Sequence, residues 1–279
     1  MEIKLIATDM DGTFLNDDKQ VLPENLKALE ECAAQGIEIV PATGRIVAGI
    51  PKEIKNLPGV RYAISVNGAV VVDLEQGKEI STCRIANDLA VRVMEMARDS
   101  EADIMFDAYV DGIGYTNHDF YANVEKYVPL RGVVELIRRT RRPVEDHVAH
   151  VKTCGKEVDK INMFFVSMED RQRMRAELEK IPKLLVSSSL PNNLEINAMG
   201  ADKGSALLRL ANHLGIGRTE TMAFGDGEND LSMIECAGFG VAMENGEEVV
   251  KAAADYITIT NNEAGVAKAI RQFVLKQGV

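Results

Sequence analysis

The strongest constraint on this chain lies in its first dozen residues, where the apolar run Ile3-Lys4-Leu5-Ile6-Ala7 stops abruptly at Thr8-Asp9-Met10-Asp11-Gly12. A short apolar run without alternation, bounded by turn residues, reads as a strand buried on both faces, the kind found in parallel sheets. Parallel strands need crossover connections, usually helices. One follows: Pro23 opens a pattern in which Leu22, Leu26 and Leu29 recur at helical spacing, and Gly36 closes it. Residues 37–40 form the next apolar run, ending at Pro41-Ala42-Thr43-Gly44-Arg45. Residues 62–66 repeat the idea and end at Asn67-Gly68, with 70–72 behind them. This alternation predicts an α/β fold built on a doubly wound, Rossmann-like parallel sheet.

The C-terminal part carries the same alternation. Residues 203–214 place Leu207, Leu208, Leu210, Ala211 and Leu214 on a helical period, and 222–224 form a short strand ending in Gly225-Asp226. A helix at 231–237, a strand at 240–242, a helix at 247–254, a strand at 256–259 and a helix at 266–275 complete it. From about Cys83 to Ser189 the texture differs. Helical stretches at 89–98 and 171–178, half-apolar strands such as 163–166, a charged stretch at 138–146 and a loop at 147–156 lie there. The expectation is an α+β cap domain at 83–189 inserted into a core made of 1–82 and 190–279.

Charge narrows the partners. Thirty-two Lys plus Arg against 43 Asp plus Glu leave a formal net charge of −11, a poor footprint for nucleic acid or an anionic membrane. Trp is absent and aromatic residues are 5%, too few for a base-stacking platform. No apolar run approaches the ~18 residues of a membrane span, and an N-terminus carrying Glu2 and Asp9 does not resemble a secretory leader. Cys32, Cys83, Cys154 and Cys236 lie far apart, as scattered thiols of a reducing compartment do. A soluble, cytoplasmic protein with a small-molecule partner is expected; its oligomeric state stays open.

Ligands of open parallel sheets sit beyond the carboxyl ends of the strands. Here those ends carry Asp9 and Asp11, then Thr43-Gly44-Arg45, then Asn67, then Asp226 with Asn229 and Asp230. One such end is an ordinary turn, whereas four together are not. Asp9, Asp11 and Asp226 crowded into one cleft would repel unless a cation sat among them, and oxygen donors of this type suit Mg²⁺. A carboxylate at a strand end can act as a nucleophile toward phosphorus, and a second one nearby can protonate the leaving alkoxide and then take a proton from water. Thr43, backbone amides near Gly44 and the charge of Lys203 can meet a phosphate.

Asp9-Met10-Asp11-Gly12-Thr13, Thr43-Gly44-Arg45, Ala201-Asp202-Lys203-Gly204 and Gly225-Asp226-Gly227-Glu228-Asn229-Asp230 resemble the four ordered motifs of the haloacid dehalogenase (HAD) superfamily. Asn67-Gly68-Ala69, Leu194-Glu195-Ile196, Gly240-Val241-Ala242-Met243 and Gly265-Val266-Ala267 are similar to stretches of its Cof-type phosphatases, and the insertion sits where a class IIB cap does. The resemblance covers roughly 1–82 and 190–279. It implies a Mg²⁺-dependent phosphatase that hydrolyses small organophosphates, such as sugar phosphates, through an aspartyl-phosphate. Asp9 would be nucleophile and metal ligand, and Asp11 general acid/base, lending its carbonyl to the metal. Met10, Thr43, Gly44, Arg45, Lys203 and Asn229 would face the phosphate or substrate. Asp226 would complete the metal ligands, with Asp230 behind it. Dehalogenases of the superfamily lack the second Asp of the first motif, so Asp11 favours phosphate esters.

Other readings are a phosphomutase, a receiver-like phospho-aspartate module and an idle phosphate-binding protein. The nucleophile position on the first strand and the large insertion disfavour a receiver; intact Asp9 and Asp11 disfavour an idle protein. His147, His150 and Cys154 have metal-binding chemistry but no further matching ligand, and read as structural. Arg138, Arg139, Arg141 and Arg142 read as a solvated face, with recruitment of an anionic leaving group as the alternative. Arg45 reads equally as an ion-pair or a ligand residue, and Asn67 equally as a turn residue or a substrate contact.

Overall fold

β1 (Leu5–Thr8), the run that opens the chain, is buried along its whole length, as a strand covered on both faces must be. The computed structural model describes residues 2–276, and these fall into two units. One comprises 2–45, 50–82 and 202–276, the other 46–49 and 83–201. The first unit continues with β2 (Glu38–Pro41), β3 (Tyr62–Ser65), β4 (Val70–Asp73) and β5 (Lys78–Thr82). The second holds β6 (Ile104–Val110), β7 (Ile113–Asn117), β8 (Arg141–Val144), β9 (Lys160–Phe165), β10 (Leu184–Ser187) and β11 (Asn193–Ala198). β12 (Thr221–Gly225), β13 (Phe239–Ala242) and β14 (Tyr256–Ile257) return to the first.

In the first unit the order β14-β13-β12-β1-β2 forms one sheet with every neighbouring pair parallel. Thr8 stands opposite Phe224 on one side and Pro41 on the other. The segments that follow these three strands therefore leave from one edge of the sheet. Leu207, Leu210 and Ala211 of the helix Lys203–His213 join Leu5, Ala7 and Ala223 in one apolar cluster, which ties that helix to the strands beneath it.

The expected third parallel strand does not join this sheet. β3 pairs antiparallel with β4, and an isolated bridge between Ala42 and Ile64 links it to the end of β2. Only the turn Val66–Gly68 and Ala69 separate β3 from β4, whereas a parallel return needs a crossover of about a dozen residues.

The second unit is a six-stranded sheet, β10-β11-β9-β6-β7-β8, antiparallel except between β7 and β8. β11 belongs here, setting Leu194 opposite Met163 and Ile196 opposite Ile161. The unit thus reaches residue 201 rather than the expected 189. The texture change near Ser189 marks a turn between two paired strands, because strand membership follows the partner and not the local pattern.

The expected loop at 147–156 is the helix His147–Cys154, started by Asp146, whose side chain accepts from the Ala149 amide at 2.9 Å, and ended by left-handed Gly155. The arginine run also divides. Arg138 pairs with Glu125 at the surface, whereas Arg141 is buried on β8, bonded to Asp107 at 3.0 Å and lying over the Tyr109 ring. All four cysteines are free thiols. No helix among the described residues is long and apolar enough to cross a membrane.

His147 packs 4.5 Å from the Phe106 ring and is 3% exposed. Burial lowers its pKa from 6.5 to about 4, against the opposing pull of Asp107 and Asp146. The unfolded chain binds this proton at higher pH than the folded one, so stability falls as pH drops from 6.5 toward about 4. The loss can reach about 3 kcal/mol. His147→Phe is expected to flatten that part of a plot of urea midpoint against pH; an unchanged slope would assign the acid sensitivity to another group.

Candidate active site

Asp9 and Asp226 are the first residues beyond β1 and β12, adjacent parallel strands, and so emerge side by side. With Asp230 they place carboxylate oxygens within 4.8 Å of one another. Lys203, the first residue of its helix and wholly buried, lies between two of them: Nζ donates to Asp9 Oδ1 and to Asp230 Oδ1, both at 2.5 Å. The cap of that helix is Asp202, which accepts from the Ser205 amide at 2.7 Å.

The neighbours of Asp226 explain the Gly-Thr that ends the first motif. Gly12 has φ 89°, and a Cβ there would lie 2.3 Å from Asp226 Oδ2, so a larger residue would displace the carboxylate. Thr13 Oγ1 donates to Asp226 Oδ1 at 2.6 Å. Asp230 has both oxygens engaged, Oδ1 by Lys203 and Oδ2 by the amides of Asp226 and Gly227 at 3.0 and 3.1 Å. It holds the loop after β12 in shape. Asp9 and Asp226 each keep an oxygen that accepts no hydrogen bond among the described residues.

Three carboxylates share one lysine here, and the electrostatics show the shortage. Burial and then Asp230 drive the Asp9 carboxyl well above its usual range despite Lys203. Burial and Asp230 likewise raise Asp226 to about 7, with the Thr13 hydrogen bond opposing them. Lys203 also rises, but against its burial, which would lower it: Asp230 and Asp9 outweigh that cost. An all-oxygen donor set, buried and short of positive charge, fits a hard divalent cation such as Mg²⁺.

Asp11 faces different partners. Arg45 grips its carboxylate through Nε to Oδ2 at 2.8 Å and Nη2 to Oδ1 at 2.6 Å, and Lys19 Nζ reaches Oδ1 at 3.0 Å. Burial would raise this carboxyl, but Arg45 and Lys19 prevail and hold it below its usual range. Arg45 is therefore an ion-pair partner of Asp11 in this structure.

Thr43 is buried, its Oγ1 accepting from the Arg45 amide at 3.2 Å and its own amide donating to the Ile64 carbonyl at 2.9 Å. Half-buried Gly44 stands between them. Asn229 Nδ2 donates to Asn67 Oδ1 at 3.3 Å. The Met10 side chain is wholly buried and its carbonyl accepts from the Leu15 amide, which leaves only backbone to face a ligand. Neither Thr13 nor Lys19 is singled out by the sequence: Thr13 is part of the first motif with no role assigned to it, and Lys19 lies in a polar stretch with no pattern to mark it.

The model of the haloacid dehalogenase-like hydrolase family matches residues 6–270 of this chain. The 5-amino-6-(5-phospho-D-ribitylamino)uracil phosphatase YcsE of Bacillus subtilis is 33% identical over 277 residues, 99% of this chain and 97% of that protein. A haloacid dehalogenase-like hydrolase of known structure from B. subtilis has a TM-score of 0.86 at 31% identity, covering 98% of this chain and 100% of its own. The HAD subclass IIB sugar phosphatase BT4131 has a TM-score of 0.79 at 26% identity, covering 97% and 98%.

Proposed function

This chain belongs to the haloacid dehalogenase-like hydrolases, within which it is a phosphatase, and from that premise we propose that it is Mg²⁺-dependent and hydrolyses monoesters of small polyols or sugars through an aspartyl-phosphate. The observation that carries the reading is the contrast between two acids two residues apart. Asp9 is buried among carboxylates with Lys203, whereas Asp11 is held apart by Arg45 and Lys19. Carboxylates in different environments can take different chemical roles.

The carboxylates of Asp9 and Asp226, with the Asp11 carbonyl, would hold the cation, which when bound draws charge from the phosphoryl oxygens. Asp9 attacks phosphorus; its new oxygen–phosphorus bond forms as the ester bond breaks, and Asp11 gives its proton to the departing alkoxide. Water then attacks the aspartyl-phosphate, passing a proton to Asp11, and the bond to Asp9 breaks to release phosphate. Lys203 keeps Asp9 aimed and meets charge on the phosphoryl group, with Thr43, the Gly44 amide and Asn229 alongside. Ionised Asp11, held by Arg45 and Lys19, is ready for the second step. A dianionic substrate that draws those cations toward itself favours the protonated form needed for the first.

Two relatives support the substrate class, one named for a phosphoribitylamino compound and one as a sugar phosphatase. The net charge of −11 disfavours nucleic acid, and a cytoplasmic setting goes with metabolite substrates. The second unit is the proposed cap, which selects the leaving group. Hydrolysis of p-nitrophenyl phosphate is expected with Mg²⁺ and absent with chelator. Equal rates with and without chelator would sink the metal dependence, and no turnover of either this ester or a sugar-phosphate panel would sink the hydrolytic reading.

A further inference from the structure

Three residues follow β3 in an uncommon conformation: Val66, Asn67 and Gly68 all have left-handed φ angles, 53°, 59° and 97°. Glycine and asparagine tolerate that region, but a β-branched residue such as Val66 enters it only when its surroundings impose it. Backbone held this way tends to occur where geometry serves function.

The surroundings are the loops of the active site. The Val66 amide donates to the Arg45 carbonyl and the Asn67 amide to the Thr43 carbonyl, both at 3.0 Å. Gly68 packs against the start of the helix that carries Lys203, so closely that a Cβ would lie 2.2 Å from the Asp202 carbonyl oxygen. Arg209 from the same helix donates to the Gly68 carbonyl at 2.9 Å. The Asn67 side chain is 3% exposed, and its Oδ1 accepts from Asn229 Nδ2. One short turn thus touches the 43–45 loop, the Lys203 helix and the loop after β12.

We infer that Asn67 is a positioning residue for the phosphoryl-transfer reaction, acting through Asn229, and that the left-handed turn bearing it sets the 43–45 loop against the Lys203 helix. The inference rests on the phosphatase reading above. Consecutive left-handed residues aim successive amides to one side, which lets two neighbouring donors reach the carbonyls of Thr43 and Arg45. An extended turn would turn one of them away. The same conformation carries the Asn67 amide group inward to Asn229, where a buried acceptor fixes one rotamer of a side chain that would otherwise have several.

Asn67→Gly separates this role from a role in folding, because glycine accepts the backbone angle and removes only the amide. The expected result is a fall in kcat of about 10- to 100-fold, a smaller change in KM, and a melting temperature no lower than wild type. In an Asn229→Ala background, Asn67→Gly is expected to change kcat less than about 2-fold, since a residue acting through another adds nothing once that other is gone. Three results would overturn the inference: wild-type kcat in Asn67→Gly, independent multiplication of the two losses, or a kcat loss matched by a fall in melting temperature. Side-chain amide resonances of Asn229 read the same question without turnover. They are expected to shift in Asn67→Gly, and unmoved resonances would reject the role. Failure of the phosphatase reading would instead show as a wild type without turnover, whichever way those resonances behave.

Discussion

Lys203→Met is expected to destabilise the metal-free protein by about 3–5 kcal/mol and to abolish measurable turnover, because it removes one partner of a buried ion cluster and leaves the others charged. Methionine fills similar space, so the loss is mainly electrostatic. Asp9 and Asp230 would face each other without the ammonium that now bonds both at 2.5 Å. The folded-state pKa of Lys203 lies above its ordinary 10.5, so its stabilisation is complete below pH 10.5 and fades only as pH rises through the folded value. Urea unfolding at pH 7 in chelator therefore reads the whole effect. At pH 5 the penalty is expected to shrink, since Asp9 and Asp226, both raised, take up protons and cease to repel. A loss below about 1 kcal/mol at pH 7 would show that the lysine charge does not hold the cluster together.

Asp9→Asn is expected to do the reverse to stability while lowering kcat on the order of 10⁴-fold or more, the scale at which losing a nucleophile is felt. An amide cannot form the acyl-phosphate. It also removes a charge that burial and then the neighbouring carboxylates disfavour, the causes that hold Asp9 well above its usual range, so the metal-free variant is expected to melt no lower than wild type. Single-turnover kinetics with chelator and Mg²⁺ arms, alongside calorimetric melting, check both halves. Wild-type turnover would remove Asp9 from the covalent step, and a large fall in melting temperature would show that its charge supports the fold.

The two variants bear on residues that the sequence pattern sets at one sheet edge and that the structure brings within 2.5 Å, and the reason is local. Asp9, Thr43 and Asp226 each follow a short apolar run within two residues, and a parallel sheet delivers all such ends to one edge. Neither strand register nor loop detail is needed for that step. The helix at 203 was equally plain, since its apolar period and its capping Asp202 are adjacent in the chain.

What escaped depends on residues far apart. β3 resembled another parallel strand because its composition is that of one; the three-residue turn after it forces an antiparallel partner. β11 looked like the start of the returning core, yet its register with β9 and β10 puts it in the second unit. Arg141 looked like part of a solvated run, but 34 positions separate it from the Asp107 that buries it. The grip of Arg45 on Asp11 likewise crosses 34 positions, whereas Lys19 reaches Asp11 from the polar stretch just after it. The helix at His147 is a different case, for Asp146 and Gly155 were local signals that a charged, histidine-bearing stretch masked.

Apolar runs, their polar ends and the order of four motifs already specified a doubly wound core and the acids gathered at one edge of its sheet, because these are short-range properties of the chain. Which strand pairs with which, which cation meets Asp11 and how a strained turn joins three loops were settled by packing, because each is a contact between residues whose distance along the chain says nothing of their distance in space.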